Sequence, residues 1–287
     1  MSNFEEILKG AEAQLNLCVG HFNSLHIGNI SVLEKLKAMP GHSCVIMLKR
    51  KCEISTLYTC SEVLRAIKSH FGLELVLVSE NSKARAFKKI IDLLNDNANK
   101  FDTVTLVYSE KDAQFIKNAA VTHEASNIVF EKLPEILYED QQVSQQLILW
   151  LFKANRISEA LKLLCNSYIV EGKVVHGNGD GRKVGMPTAN IKIPHEKIYP
   201  PYGVYASIMH VKGKNHLAAT NIGLRPSHDS DPTPSMESFI IDFDENIYGE
   251  DVVVELKEFL RPVLKFNNPQ DGKQQGEKDV EMIKMSQ

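Results

Sequence analysis

The stretch from Gly177 to Asn190, GNGDGRKVGMPTAN, constrains the chain most. It packs four glycines (Gly177, Gly179, Gly181, Gly185), the adjacent cations Arg182 and Lys183, and the polar run Pro187-Thr188-Ala189-Asn190 into a single segment. Glycines let a backbone turn through positive φ and approach a ligand closely. Arginine and lysine supply charge for an anion, while threonine and asparagine supply the oxygens a hard cation prefers. The combination suits a phosphate-and-magnesium site. The glycines alone would equally suit a mobile surface loop, so the setting has to decide.

The segment follows a β-like run, Lys173 to His176, and leads into another at Asn190 to Ile193. A dinucleotide GxGxxG fingerprint must open a helix inside a βαβ unit, and the P-loop requires GxxxxGK[ST]. Neither condition is met. A phosphate cradle here has to be a loop joining two strands.

The chain has 287 residues, enough for two domains, with 43% hydrophobic and 24% charged residues. A net charge of −3 gives no argument for nucleic acid or a membrane as the main partner, and small molecules are expected instead. Five scattered cysteines without a CxxC pair suggest reduced thiols. The polar, acidic start is unlike a signal peptide, and no apolar run approaches the roughly 20 residues that span a bilayer. A cytoplasmic protein is expected.

From residue 15 short apolar runs alternate with amphipathic segments. Leu15–Val19, Cys44–Leu48, Leu73–Val78, Thr103–Tyr108 and Asn127–Phe130 read as strands. Ser31–Met39, Ser61–Phe71, Lys83–Ala98 and Lys111–Ala120 read as helices. This alternation predicts a doubly wound, Rossmann-like α/β domain over residues 1–166, whose ligand crevice lies beyond the carboxyl ends of its strands. Residues 141–165 read as two helical stretches broken near Asn155. From residue 167 to 287 the pattern turns to β. Around six strands with short connections predict a six-stranded antiparallel barrel, followed by a short helix from about Gln275 to Met285.

Beyond the first strand, Gly20, Phe22, His26 and Gly28 match the nucleotidyltransferase signature GxFDGxHxGH, which this stretch resembles. Asn23, Ser24 and Asn29 replace its Asp, Gly and second His. In that signature histidines hold nucleotide phosphates, and asparagine cannot carry their charge; losing such a contact costs roughly 10²–10³ in rate. The companion ISSTxIR-like segment near Val143–Ile148 keeps only its serine. Impaired adenylyl transfer is expected.

Residues 168–266 resemble the riboflavin kinase domain of bacterial bifunctional riboflavin kinase/FAD synthetases. The landmarks are Gly172–Ile191, PPYGVYA at Pro200–Ala206, NIGLRP at Asn221–Pro226, ESFIIDFDENIYG at Glu237–Gly249 and LRPVLKF at Leu260–Phe266. The resemblance implies ATP and riboflavin as substrates, FMN as product and Mg²⁺ as cofactor. It implies Thr188 and Asn190 as holders of magnesium and ATP phosphates, Glu237 as catalytic base, and the four glycines with Arg182 and Lys183 around the phosphates. Arg261 takes a supporting role near the flavin. Alternation puts Glu237 on one face with Phe239 and Ile241, on the covered side of the sheet. The chain departs from the family at Asp180, an acid in the cradle. It departs again in the tail, where Asn267–Gly276 carries two glycines and a proline, which points to weakened flavin binding. A fully bifunctional enzyme making FAD and a non-catalytic flavin- or nucleotide-binding protein remain the alternatives.

Overall fold

A computed structural model describes residues 7–8, 13–22, 24–49, 56–79, 82–120, 125–165, 167–177, 179–183, 185–224, 234–266 and 268–286. Asn23, Arg225, Pro226 and most of the polar loop 227–235 fall outside these residues, as does the side chain of Asp180. The chain divides into two compact units, Met1–Leu147 and Ile148–Gln287.

The first unit runs β1 (Gln14–Gly20), α1 (Ile27–Ala38), β2 (His42–Lys49), α2 (Cys60–Ala66), β3 (Glu74–Ser79), α3 (Lys83–Asn97), β4 (Thr103–Ser109), α4 (Ala113–Ala120) and β5 (Ile128–Leu133). A two-residue ladder, β6 (Leu137–Tyr138) with β7 (Gln141–Gln142), and the start of α5 (Gln145–Lys153) close it. The sheet is parallel throughout, in the order β3-β2-β1-β4-β5. Strand order therefore reverses beside β1. Right-handed crossovers put helices added leftward and rightward on opposite faces. The contacts agree: α1 meets the π-turn that extends α2, and α3 meets α4. Leu15, Leu17, Val19, Ile46 and Leu106 pack under Phe87, Ile90, Ile91 and Leu94 of α3, all nearly inaccessible. The doubly wound domain expected from the sequence is present.

In the second unit α5 is followed by α6 (Ile157–Leu163). The break between them is Asn155, at φ 58. Then come β8 (Tyr168–Val175), a four-residue helical turn α7 (Asp180–Lys183), β9 (Ala189–Lys192), β10 (Gly203–Val211), β11 (Lys214–Leu224), β12 (Pro234–Ile240), β13 (Asp251–Arg261) and α8 (Pro269–Met285). Six antiparallel strands close into a barrel ordered β10-β11-β12-β9-β8-β13. Closure leaves none of these strands as a free edge. Inside it Ser207, Thr220 and Ser238 form a buried hydroxyl ladder with contacts of 2.7 and 2.8 Å, so no polar atom there goes unpaired.

Two details differ from the sequence reading. The loop between β8 and β9 contains the turn α7, where a plain loop was expected. The terminal helix begins at Pro269, before the expected Gln275. Asn268 caps it by accepting from the Gln270 amide at 2.6 Å, and proline is well tolerated in the first helical turn. The two glycines that argued against helix are kept by packing against other elements.

On the barrel wall Glu255 accepts from Ser167 Oγ at 2.7 Å, from Lys257 Nζ, and pairs with His210 Nε2 at 3.2 Å. Burial pushes the Glu255 carboxyl up, but the three hydrogen bonds outweigh it and hold the group down at about 2. The bond to Glu255 raises His210. His210 thus contributes stability that is complete below its unfolded value of about 6.5 and is lost as pH rises through its higher folded value. Glu255 contributes above about 4.3 and loses its contribution as pH falls towards about 2. Urea denaturation at pH 6 and pH 9 is expected to show a drop in stability that His210→Gln removes.

Candidate functional site

The barrel site is built where β9, β12 and the β8–β9 loop meet. Asn190 of β9 lies directly opposite Glu237 of β12, and Glu237 opposite Asn221 of β11. Directly opposed residues share a sheet face. Met236, Ser238 and Ile240 point into the barrel and are buried. Glu237 therefore belongs to the outer face with Phe239. That face is covered by α8, whose Ile283 and Val280 pack with Phe239, Ile241 and Ala206. The expected sharing of a covered face is met, with the helix as the cover. Thr188, two residues before Asn190, donates its hydroxyl to Glu237 Oε2 at 3.4 Å.

The loop closes tightly over this group. Gly179 and Gly185 sit at φ +71 and +79, and Met186 N donates to Gly181 O at 2.8 Å. Gly177 is a matter of close approach, since a Cβ there would lie 2.2 Å from Asn190 Nδ2. Gly177→Ala is therefore expected to displace the buried Asn190 amide. A titration with ATP, the ligand the resemblance implies, is expected to show weakened binding, together with a loss of about 1–3 kcal/mol of barrel stability from the overpacking. A parent-like affinity would mean that Asn190 tolerates displacement.

Next to the loop is a cavity of about 390 Å³ lined by Arg182, Thr188, Val174, Phe243, Asn246 and Tyr248 among others. The His176 ring stacks on Tyr248 at a centroid distance of 3.9 Å. Arg182 and Thr188 thus face one cavity, and Thr188 joins that cavity to Glu237. Lys183 is exposed on the turn α7. Arg261 is occupied elsewhere: it grips Asp279 of α8 through Nε and Nη2, at 3.0 and 2.6 Å. Asn221, Phe243 and Tyr248 were not singled out by sequence reasoning. All three lie inside the quoted landmarks, but Asn221 is brought to Glu237 only by the pairing of β11 with β12, and Phe243 lies beyond the end of β12, after the turn at Asp242.

The first unit has its own cavity, about 290 Å³, at the carboxyl ends of β1 and β4. Gly20, Phe22, His26, Gly28 and Asn29 all line it, together with Lys111, Asp112 and Ser144. His26 caps α1: its Nδ1 accepts from the Gly28 and Asn29 amides at 3.1 and 3.3 Å. An accepting Nδ1 leaves the proton on Nε2. Burial, reinforced by nearby Lys111, pushes His26 down to about 3, so the ring is neutral at physiological pH. Asn29 is buried and receives Ser24 Oγ at 3.5 Å. Ser144 accepts from Leu147 N at 3.2 Å and so caps α5. The cavity offers an imidazole donor and a lysine to an anion, and a neutral amide at position 29. Lys111 and Asp112 went unnoticed in the sequence because they lie in a short turn after β4, far along the chain from His26.

Residues 164–286 match the flavokinase (riboflavin kinase) family. A bifunctional riboflavin kinase/FMN adenylyltransferase of Listeria monocytogenes is 40% identical over 43% of this chain, a match spanning 39% of that protein. One of Bacillus subtilis bearing the same name is 27% identical over 95% of this chain and 92% of its own length. A solved structure described as a macrolide-efflux protein from Streptococcus pneumoniae superposes with a TM-score of 0.72 at 21% identity, covering 96% of both chains. That likeness concerns the fold alone.

Proposed function

We propose that this chain, whose residues 164–286 match the riboflavin kinase family, transfers the γ-phosphoryl group of ATP to the 5′-hydroxyl of riboflavin. The observation that carries the reading is the Thr188–Glu237–Asn190 group beneath the glycine loop. In this reading Glu237 accepts the proton of the attacking ribityl hydroxyl. Backbone amides of the Gly177–Gly185 loop, with Arg182 and Lys183, hold the phosphates. The aromatic and apolar wall of the cavity, with Phe243 and Tyr248, takes the base of the nucleotide.

The Thr188 hydroxyl and Asn190 carboxamide offer neutral oxygens beside a carboxylate, a donor set that fits Mg²⁺. When bound, the ion would neutralise charge on the phosphates. On the acceptor side, Val263 packs at Gly223, with 3.6 Å to a Cβ placed there, and Val263, Leu264 and Phe266 are left exposed. This apolar arm is a surface for the flavin ring. Arg261 acts there indirectly, by fixing α8 through Asp279. A cytoplasmic location belongs to the same reading, in keeping with five scattered cysteines that form no CxxC pair.

For the first unit we infer weak or lost adenylyl transfer. Asn29 in place of a histidine and the neutral, cap-engaged His26 support it. The second reading, a bifunctional enzyme that also makes FAD, is favoured by the retained cavity with Lys111. Chromatography of riboflavin incubated with ATP and Mg²⁺ is expected to show FMN without FAD. FAD at a rate comparable to FMN would favour the second reading, and no flavin product would overturn the first.

A further inference from the structure

Helix α8 carries Gly272 and Gly276 one turn apart, and each receives another side chain. A Cβ at position 276 would lie 2.8 Å from both Sδ and Cε of Met186, closer than real contacts come. A Cβ at 272 would lie 3.4 Å from the Phe266 ring. Position 276 thus has no room for a methyl group while Met186 stays where it is.

The Met186 backbone lies close against Gly181. Its amide donates to Gly181 O at 2.8 Å, and its carbonyl lies 2.3 Å from where a Cβ on Gly181 would stand. Its side chain reaches out of the loop to α8. Two residues later Thr188 binds Glu237. The helix is the firm partner in this contact. Asp279 is 2% exposed and gripped by Arg261 and by Gln275 Nε2 at 3.0 Å. Ile283 is buried and Lys284 pairs with Asp242 at 2.9 Å. When the contact is crowded, the flexible thioether moves and the helix stays.

We propose that Met186 is a positioning residue: seated on Gly276, it ties the phosphate loop to α8 and sets the loop's closure over Thr188 and Glu237. The inference rests on the kinase reading of the barrel. It also explains why a helix that would be better formed with alanine keeps glycine at 276.

The test compares Gly276→Ala, Met186→Ala and the double variant. The Michaelis constant for ATP, kcat and the affinity for Mg²⁺ with the non-hydrolysable β,γ-imido analogue of ATP are measured in each. Each single variant is expected to raise the Michaelis constant and weaken analogue binding several-fold, with a smaller change in kcat. The double variant is expected to be no worse than either single, because all three remove one contact. The melting temperature of Gly276→Ala is expected to hold or rise, which separates lost positioning from lost folding. Parent-like analogue affinity in the single variants would overturn the proposal, and so would additive losses in the double. Should the parent form no FMN while the affinities follow this pattern, the kinase reading falls and the positioning role stands.

Discussion

Replacing Glu237 with glutamine is expected to lower FMN formation by about 10²–10⁴-fold, the usual contribution of a positioned general base. Glutamine keeps the size of the side chain and an oxygen for the Thr188 hydroxyl, which now reaches Glu237 Oε2 at 3.4 Å. It cannot take a proton at neutral pH. Binding of Mg-ATP, followed by calorimetry, is expected to persist, since the loop glycines, Arg182 and Thr188 are untouched. The loss then falls on kcat. A Glu237→Gln variant with the parent's turnover would move the base to another residue, and the pairing with Asn190 and Asn221 would be read as sheet structure alone.

The largest stability effect is expected at Arg261. Its guanidinium meets the Asp279 carboxylate in a forked pair at 3.0 and 2.6 Å, and Asp279 is 2% exposed. Removing one partner of a buried pair leaves an uncompensated charge and costs about 3–5 kcal/mol. Arg261→Leu is therefore expected to lower the stability of the barrel unit by that amount in urea denaturation. Gln275 supplies one remaining hydrogen bond, too little to replace a charged fork. The double variant Arg261→Leu, Asp279→Leu is expected to recover most of the loss, because no charge is then stranded. If Arg261→Leu alone stays close to the parent, α8 is held chiefly by Ile283 and Val280.

Most of the architecture was legible because period carries it. Runs such as LNLCV and TVTLVY are apolar throughout, as strands covered on both faces must be, and they became β1 and β4. The barrel strands followed from alternation: Met236, Ser238 and Ile240 inward, Glu237 and Phe239 outward. Local propensity failed at α8. Gly272 and Gly276 read as helix breakers, yet the cap at Asn268 and the seats for Phe266 and Met186 outweigh their cost. The same gap hid Met186, whose importance comes from a contact about ninety residues away in the chain. The residues of the candidate site were legible where motif and spacing named them, as at Thr188, Asn190 and Glu237. Arg261 could be named but not its partner, since nothing in the sequence says which acid of the tail turns inward. In the first unit the residues at His26 and Asn29 were visible. That His26 spends its Nδ1 on a helix cap is a matter of backbone geometry.

On the proposed function, the barrel unit moves a phosphoryl group from ATP to riboflavin. The most direct test is the fate of the label when riboflavin and Mg²⁺ are incubated with ATP radiolabelled at the γ-phosphate or, separately, at the α-phosphate. The expected result is γ-label in FMN, no α-label in any flavin, and loss of the γ-label in FMN with Glu237→Gln. Gamma-label appearing only as inorganic phosphate, or unlabelled flavin in both incubations, would contradict it.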